Sequence, residues 1–185
     1  MIGHPFNPPH LVPLVEIVPG KHTDPGVVER ARQFYRALGK RPQVLAKEVP
    51  GFVANRLQGA LFREAIYLVT EGVVTEQELD DIVTSSIGMR WAVAGPFRTF
   101  HLGGGPGGLP DFFRHLGTGL EEGFKRLGAP HLDEPTVALL SEQAQHFGGT
   151  VEELAAKRDA AQIALMHALG ELPEPVREKR KEKIR

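Results

Sequence analysis

The sequence predicts a mainly α-helical chain with a short β-rich start, and three observations carry the prediction. Pro5, Pro8, Pro9 and Pro13 exclude a helix from the opening segment, because proline lacks the N–H and clashes with the preceding turn. Two Thr-x-x-Glu patterns, Thr75–Glu78 and Thr150–Glu153, have the form of capping boxes at the start of apolar-periodic runs. After residue 50 no strand–helix–strand alternation remains, so the rest of the chain reads as helices and connecting turns.

Taken in order, Met1 to Gly20 reads as strand, turn and strand, with the β-prone run Leu14-Val15-Glu16-Ile17-Val18 closed by Pro19-Gly20. A helix starts near Asp24-Pro25, with Thr23 or Asp24 as N-cap and proline in the first turn. It carries Val28, Ala31, Phe34, Tyr35 and Leu38 on one face and stops at Gly39. Val44 to Val49 is a candidate further strand, ended by Pro50-Gly51. The longest helix runs from Phe52 to about Glu71, with Phe52, Asn55, Gly59, Phe62 and Ile66 on one stripe and Arg56 and Arg63 on a more polar one. A shorter helix spans Thr75 to Ile87. Gly88 to Pro110 is rich in glycine and proline and admits only short helical pieces, such as one around Phe97 to Leu102. Helices near Asp111–Leu127, Glu134–Phe147 and Val151–Leu169 complete the chain.

Composition narrows the function classes. With 41% apolar and 24% charged residues the chain has an ordinary globular balance, and a net charge of −1 gives no reason to invoke nucleic acid or a membrane surface. No apolar run approaches the ~18 residues of a membrane span. Cysteine is absent, which removes disulfide and thiolate chemistry and is compatible with a cytoplasmic location. The other histidines (His10, His22, His101, His115, His131, His146 and His167) have no metal-ligand spacing, so no metal is expected. The basic run Arg177, Lys179, Arg180, Lys181, Lys183 and Arg185 reads as a flexible tail, residues 171–185.

Glu16 stands where a charge is expensive. An ionised carboxylate inside an apolar strand must be paired or hydrogen-bonded. If the chain reverses around His10, positions 4 and 16 lie opposite each other, so His4 is a candidate partner. The carboxylate would then accept from one imidazole nitrogen and leave the other to face a substrate, as in a general base. The competing reading of the same spacing is an outward-pointing glutamate on an edge strand and a histidine held by a turn.

The words around this pair add to it. His4-Pro5-Phe6-Asn7-Pro8-Pro9 followed by Pro13-Leu14-Val15-Glu16-Ile17-Val18 resembles the 3-hydroxyacyl-CoA dehydrogenase family, including its L-gulonate 3-dehydrogenase (lambda-crystallin) and carnitine 3-dehydrogenase branches. Pro50-Gly51-Phe52-Val53-Ala54-Asn55-Arg56-Leu57 is a second matching block, and Leu79-Asp80-Asp81-Ile82 through Gly95-Pro96-Phe97 a third. The resemblance implies a helical C-terminal domain of the 6-phosphogluconate-dehydrogenase-like type, preceded by a remnant strand pair of a truncated Rossmann domain. It also implies His4 as catalytic base, Glu16 as its paired carboxylate, Asn7 beside the nicotinamide, Asn55 on the reacting oxygen, and NAD as cofactor. For Asn55 the bland alternative is a helix-capping or interhelical hydrogen bond.

The expected organisation is therefore residues 1–20 as the end of a dinucleotide-binding domain, 21–170 as a helical substrate and dimerisation domain, and the tail. The Gly-x-Gly-x-x-Gly turn that cradles a dinucleotide is missing. Gly103-Gly104-Gly105-Pro106-Gly107-Gly108 lacks the preceding strand and reads as a loop. The chain is thus expected to hold half an active site, on a strand pair with open edges. Alone, it is expected to bind NAD poorly and to lack dehydrogenase activity, while still forming a homodimer through its helices.

Before Gly95-Pro96-Phe97, acyl-CoA members of the family commonly carry a Gly-Tyr-Pro-like segment. Here Gly88-Met89-Arg90-Trp91 stands instead, closer to the gulonate and carnitine branches. Arg90 could meet a substrate carboxylate bidentately and Trp91 a quaternary ammonium; a surface arginine and a packed tryptophan are the alternative. A small polar 3-hydroxy acid is favoured, with a 3-hydroxyacyl-CoA of fatty acid metabolism close behind. A reading of another class stays open: a helical dimerisation module of that descent that catalyses nothing.

Overall fold

A computed structural model describes residues 1–170; the basic tail lies outside the described residues. The chain is mainly α-helical, with one small sheet near its start. The described residues divide into two compact units, Met1–Glu48 together with residues 149–170, and Val49–Gly148.

In the first unit β1 (Ile2–Pro5) and β2 (Leu14–Val18) form an antiparallel hairpin, with Ile2 opposite Val18 and His4 opposite Glu16. Helix α1 (Pro25–Ala37) then leads to β3 (Arg41–Val44), which lies parallel to β2. The sheet order β1-β2-β3 makes β2 the central strand, and Val15, Ile17 and Val18 are buried. The expected strand pair thus gains a third strand, and α1 and β3 pack with the hairpin in one compact unit that runs to Glu48.

β3 also lies earlier than Val44–Val49, and the reason is proline geometry. The amides of Arg41 and Leu45 donate to Pro13 O, just before β2, and to Ile17 O on β2. Period-2 alternation therefore turns the nitrogen of the intervening Pro42 away from β2, so the missing donor costs this edge strand no ladder bond. Asp24, not Thr23, caps α1, its carboxylate accepting from Gly26 N at 2.7 Å. Phe34 and Leu38 of the expected apolar face are exposed, while Tyr35 packs on Gly3 so closely that a Cβ there would come within 2.2 Å of the Tyr35 hydroxyl. Helix α8 (Val151–Ala168) opens on the Thr150–Glu153 capping box and meets the hairpin turn through His10 Nε2 and Asp159 Oδ2, 3.3 Å apart.

The second unit holds α2 (Ala54–Thr70), α3 (Glu76–Ser85), α4 (Ile87–Val93), α5 (Pro96–Gly103), a short 3₁₀ turn (Gly105–Gly107), α6 (Gly108–Phe124) and α7 (Glu134–Ala144). Helix α2 starts two residues later than expected because Gly51 (φ 78°) and Phe52 (φ 50°) both sit in the left-handed region, which a helix cannot contain. Its expected stripe also divides: Ile66 is buried, as is Val69 outside the stripe, whereas Asn55, Gly59 and Phe62 are exposed. Helix α6 begins three residues early, with Pro110 in its first turn, where no intrahelical N–H is needed. Phe112 anchors the α5–α6 corner, 4.8 Å from Phe100 between ring centroids. No helix among the described residues is long and apolar enough to cross a membrane.

Candidate active site

Antiparallel pairing brings His4 and Glu16 directly across from each other, on the face of the hairpin opposite to the one that carries Gly3, Val15 and Ile17. His4 Nδ1 lies 3.1 Å from Glu16 Oε2. Glu16 is 2% exposed, while the imidazole keeps 28% of its surface. An ionised carboxylate only accepts hydrogen bonds, so with Glu16 ionised and the ring neutral Nδ1 would carry the hydrogen and Nε2 would be left as the basic nitrogen. Burial leaves the anion intolerant of losing its partner and enhances its field on the imidazole. The arrangement can take a proton at Nε2 and stabilise the resulting imidazolium.

The remaining expected residues are distributed over both units. Asn7 is exposed, in the turn that follows β1 and next to a cis peptide bond to Pro8. Asn55 is exposed in the first turn of α2. Arg90 and Trp91 lie side by side in α4, Arg90 exposed and Trp91 42% exposed. The structure therefore brings two of the six residues together in direct contact, His4 and Glu16. Among the described residues no group of His, Asp and Glu could hold a metal ion.

A dinucleotide needs main-chain N–H groups at a helix N-terminus that follows a strand. In the sheet unit, the N-terminus that follows β2 belongs to α1, where the Asp24 carboxylate already occupies the cap and Pro25 removes a donor. A phosphate would meet negative charge there. The run from Gly103 to Gly108 joins two helices, and a Cβ on Gly104 would come within 1.8 Å of Gly108 O, so this run serves a tight corner. Neither of these two helix starts among the described residues fits a pyrophosphate.

One feature was not visible in the sequence. In the second unit α2, α3 and α7 border an open pocket of about 430 Å³, lined among others by Phe62, Ile66, Leu140 and Phe147 and by Glu76 and Asp80. Burial, then the nearby Asp80 charge, raises the Glu76 carboxyl above its ordinary range. No expected site residue lines this pocket. An apolar periodicity locates helix faces, not the gaps between them.

Comparison with known proteins agrees with the division of the chain. Residues 1–49 match the family model of the 3-hydroxyacyl-CoA dehydrogenase NAD binding domain, and residues 51–137 that of the C-terminal domain. The chain belongs to the 3-hydroxyacyl-CoA dehydrogenase family, whose cofactor is NAD. It is 44% identical over 182 residues to an L-carnitine dehydrogenase of Streptomyces griseus, covering 96% of this chain and 54% of that protein. An L-carnitine dehydrogenase of Burkholderia mallei is 47% identical over 137 residues, 74% of this chain and 43% of that protein. A crystal structure of 5-formyl-3-hydroxy-2-methylpyridine 4-carboxylic acid 5-dehydrogenase, an NAD⁺-dependent dismutase, superposes with a TM-score of 0.69 at 31% identity, over 90% of this chain and 54% of that one. The chain spans about half the length of the curated relatives it matches.

Proposed function

We propose that this chain carries the acid–base pair and the helical domain of an NAD-dependent dehydrogenase that oxidises the 3-hydroxyl of a small polar 3-hydroxy acid, carnitine being the first to test. The buried Glu16 carboxylate paired with the half-exposed His4 imidazole is the observation that carries this reading. Oxidation removes the hydroxyl proton and a hydride from C3. His4 Nε2 takes the proton, and Glu16 holds the ring in the Nδ1–H tautomer and stabilises the cation that forms. NAD, when bound, would accept the hydride. Asn7 would hold the nicotinamide end of the cofactor, and Asn55 would donate to the substrate oxygen as it becomes a carbonyl. Arg90 meets the carboxylate and Trp91 the quaternary ammonium of a carnitine-like substrate.

The identity to L-carnitine dehydrogenases supports the choice of substrate over a 3-hydroxyacyl-CoA, which the family description keeps as the competitor. We further infer a cytoplasmic homodimer. Its support is the exposed apolar surface of the helical unit, with Val53, Leu57 and Leu61 along α2 and Phe113, Leu116 and Phe124 along α6.

The test joins the chain in frame to the NAD-binding half of the Streptomyces griseus relative and follows NAD reduction with carnitine and with a 3-hydroxyacyl-CoA. Carnitine-dependent reduction that collapses with His4→Ala is the expected result. Turnover unchanged by His4→Ala overturns the base assignment, and preference for the acyl-CoA overturns the substrate.

A further inference from the structure

We propose that Lys40 is a positioning residue for the acid–base pair: its ammonium clamps the turn between β1 and β2 and so holds His4 in register with Glu16. The proposal rests on the reading of His4 as the base.

Lys40 is placed by the end of α1. Gly39, at φ 73°, donates its N–H to Arg36 O, and Lys40 N–H reaches back to Tyr35 O, both at 2.9 Å, which is the Schellman pattern of a helix terminus. This reversal throws the Lys40 side chain toward the hairpin turn. Its Nζ donates to the carbonyl oxygens of Pro9 at 2.5 Å and Val12 at 3.2 Å.

The turn has a particular need for such a donor. Pro8, Pro9 and Pro13 bring carbonyls but no N–H groups, so the segment has fewer donors than acceptors. Leu11 and Val12 N–H both go to Pro8 O, and Arg41 N–H goes to Pro13 O. An ammonium has three donors that can diverge from one point, which suits two carbonyls converging from different directions; a planar guanidinium does not. Lys40 and Arg41 together tie three carbonyls of the turn to the α1–β3 junction. Beyond the turn, Phe6 N donates to Leu14 O, the first rung of the ladder whose next same-face pair is His4 and Glu16. A slack turn lets that ladder slip, and a slip of one residue sends the two side chains to opposite faces.

Lys40 touches neither His4 nor Glu16, so its effect must appear in their geometry. The ¹⁵N shifts of the His4 ring in the full chain report the tautomer, and amide hydrogen exchange reports the turn. In the wild-type chain the Nδ1–H tautomer is expected. Lys40→Met, similar in length but unable to donate, is expected to give a tautomer mixture and exchange at Leu11, Val12 and Phe6 at least tenfold faster, with α8 amides unchanged. If Lys40→Met does not fold, Lys40→Arg carries the test, with the same changes in smaller measure. A wild-type tautomer signature and wild-type exchange in these variants overturn the clamp. Uniformly faster exchange across the unit also overturns it, since that marks a stability role alone. Absence of the Nδ1–H tautomer in the wild-type chain overturns the pairing of His4 with Glu16 instead, while the exchange data still decide whether Lys40 holds the turn.

Discussion

His4 Nδ1 and Glu16 Oε2 face each other at 3.1 Å across paired strands, one ring partly exposed and the other carboxylate sealed from solvent. In the proposed mechanism the more exposed His4 exchanges the proton and the buried Glu16 holds it in place. Glu16→Gln keeps the volume but replaces an acceptor-only group by an amide that satisfies either ring tautomer. In the fusion with the NAD-binding half of the Streptomyces griseus relative, this change is expected to lower kcat by about 10²- to 10⁴-fold with little change in KM. Steady-state kinetics check it, and a kcat within a few-fold of wild type would remove Glu16 from the mechanism.

This pair was legible in the sequence because two independent signals met there: a charge inside an apolar strand, and equal spacing about a proline-rich turn. The capping boxes were legible for a similar reason, since Thr75 with Glu78 and Thr150 with Glu153 form local bonds that need no tertiary context. What tertiary structure decides was not legible. Pro42 looks like a strand breaker until its place on an edge is known, and Phe52 looks helical until the turn at Gly51 forces it to positive φ. Lys40 has no sequence signature at all, because its partners are main-chain carbonyls far along the chain.

Gly3 precedes His4 and lies under Tyr35. A methyl group there would meet the Tyr35 hydroxyl at 2.2 Å and ring carbons at 2.9 and 3.0 Å, so the ring or the strand must move. Gly3→Ala is therefore expected to destabilise the sheet unit by about 1–3 kcal/mol. Tyr35→Leu in the same chain should recover part of the loss by removing the clash. Thermal unfolding of the two variants checks this, and an additive double variant would show that the contact is not the cause.

The cofactor end of the site can be tested directly. Asp24 and Pro25 block the α1 N-terminus as a phosphate site, and the glycine run at 103–108 closes a helical corner. The 185-residue chain on its own is thus expected to bind NAD no better than millimolar and to show no dehydrogenase turnover. Micromolar binding by calorimetry would contradict this and require a nucleotide site built from other residues.

The exposed stripe on α2 makes a further expectation concrete. Leu57 and Leu61 are one helical turn apart and 61% and 36% exposed. If a second copy covers them, replacing both by aspartate places charge in an apolar contact and is expected to shift the chain to monomer. Sedimentation equilibrium of wild type and variant checks it, and an unchanged dimer would move the interface elsewhere on the helical unit.

Glu76 gives a prediction with a definite pH sign. Burial, aided by the Asp80 charge, raises its carboxyl in the folded state above the ordinary 4.5, and its Oε2 is buried without a hydrogen-bond partner in the structure. The folded state therefore holds the proton more tightly than the unfolded chain does. The stabilising contribution of this group is complete below its unfolded pKa and is lost as pH rises through the raised folded value. Glu76→Gln, neutral at every pH, should consequently raise the melting temperature at pH 7 and have a smaller effect near pH 4. The backbone bond from Glu76 N to Gln143 Oε1 at 2.9 Å is kept in the variant, so the comparison isolates the charge. Equal shifts at the two pH values would show that ionisation of Glu76 costs this unit nothing.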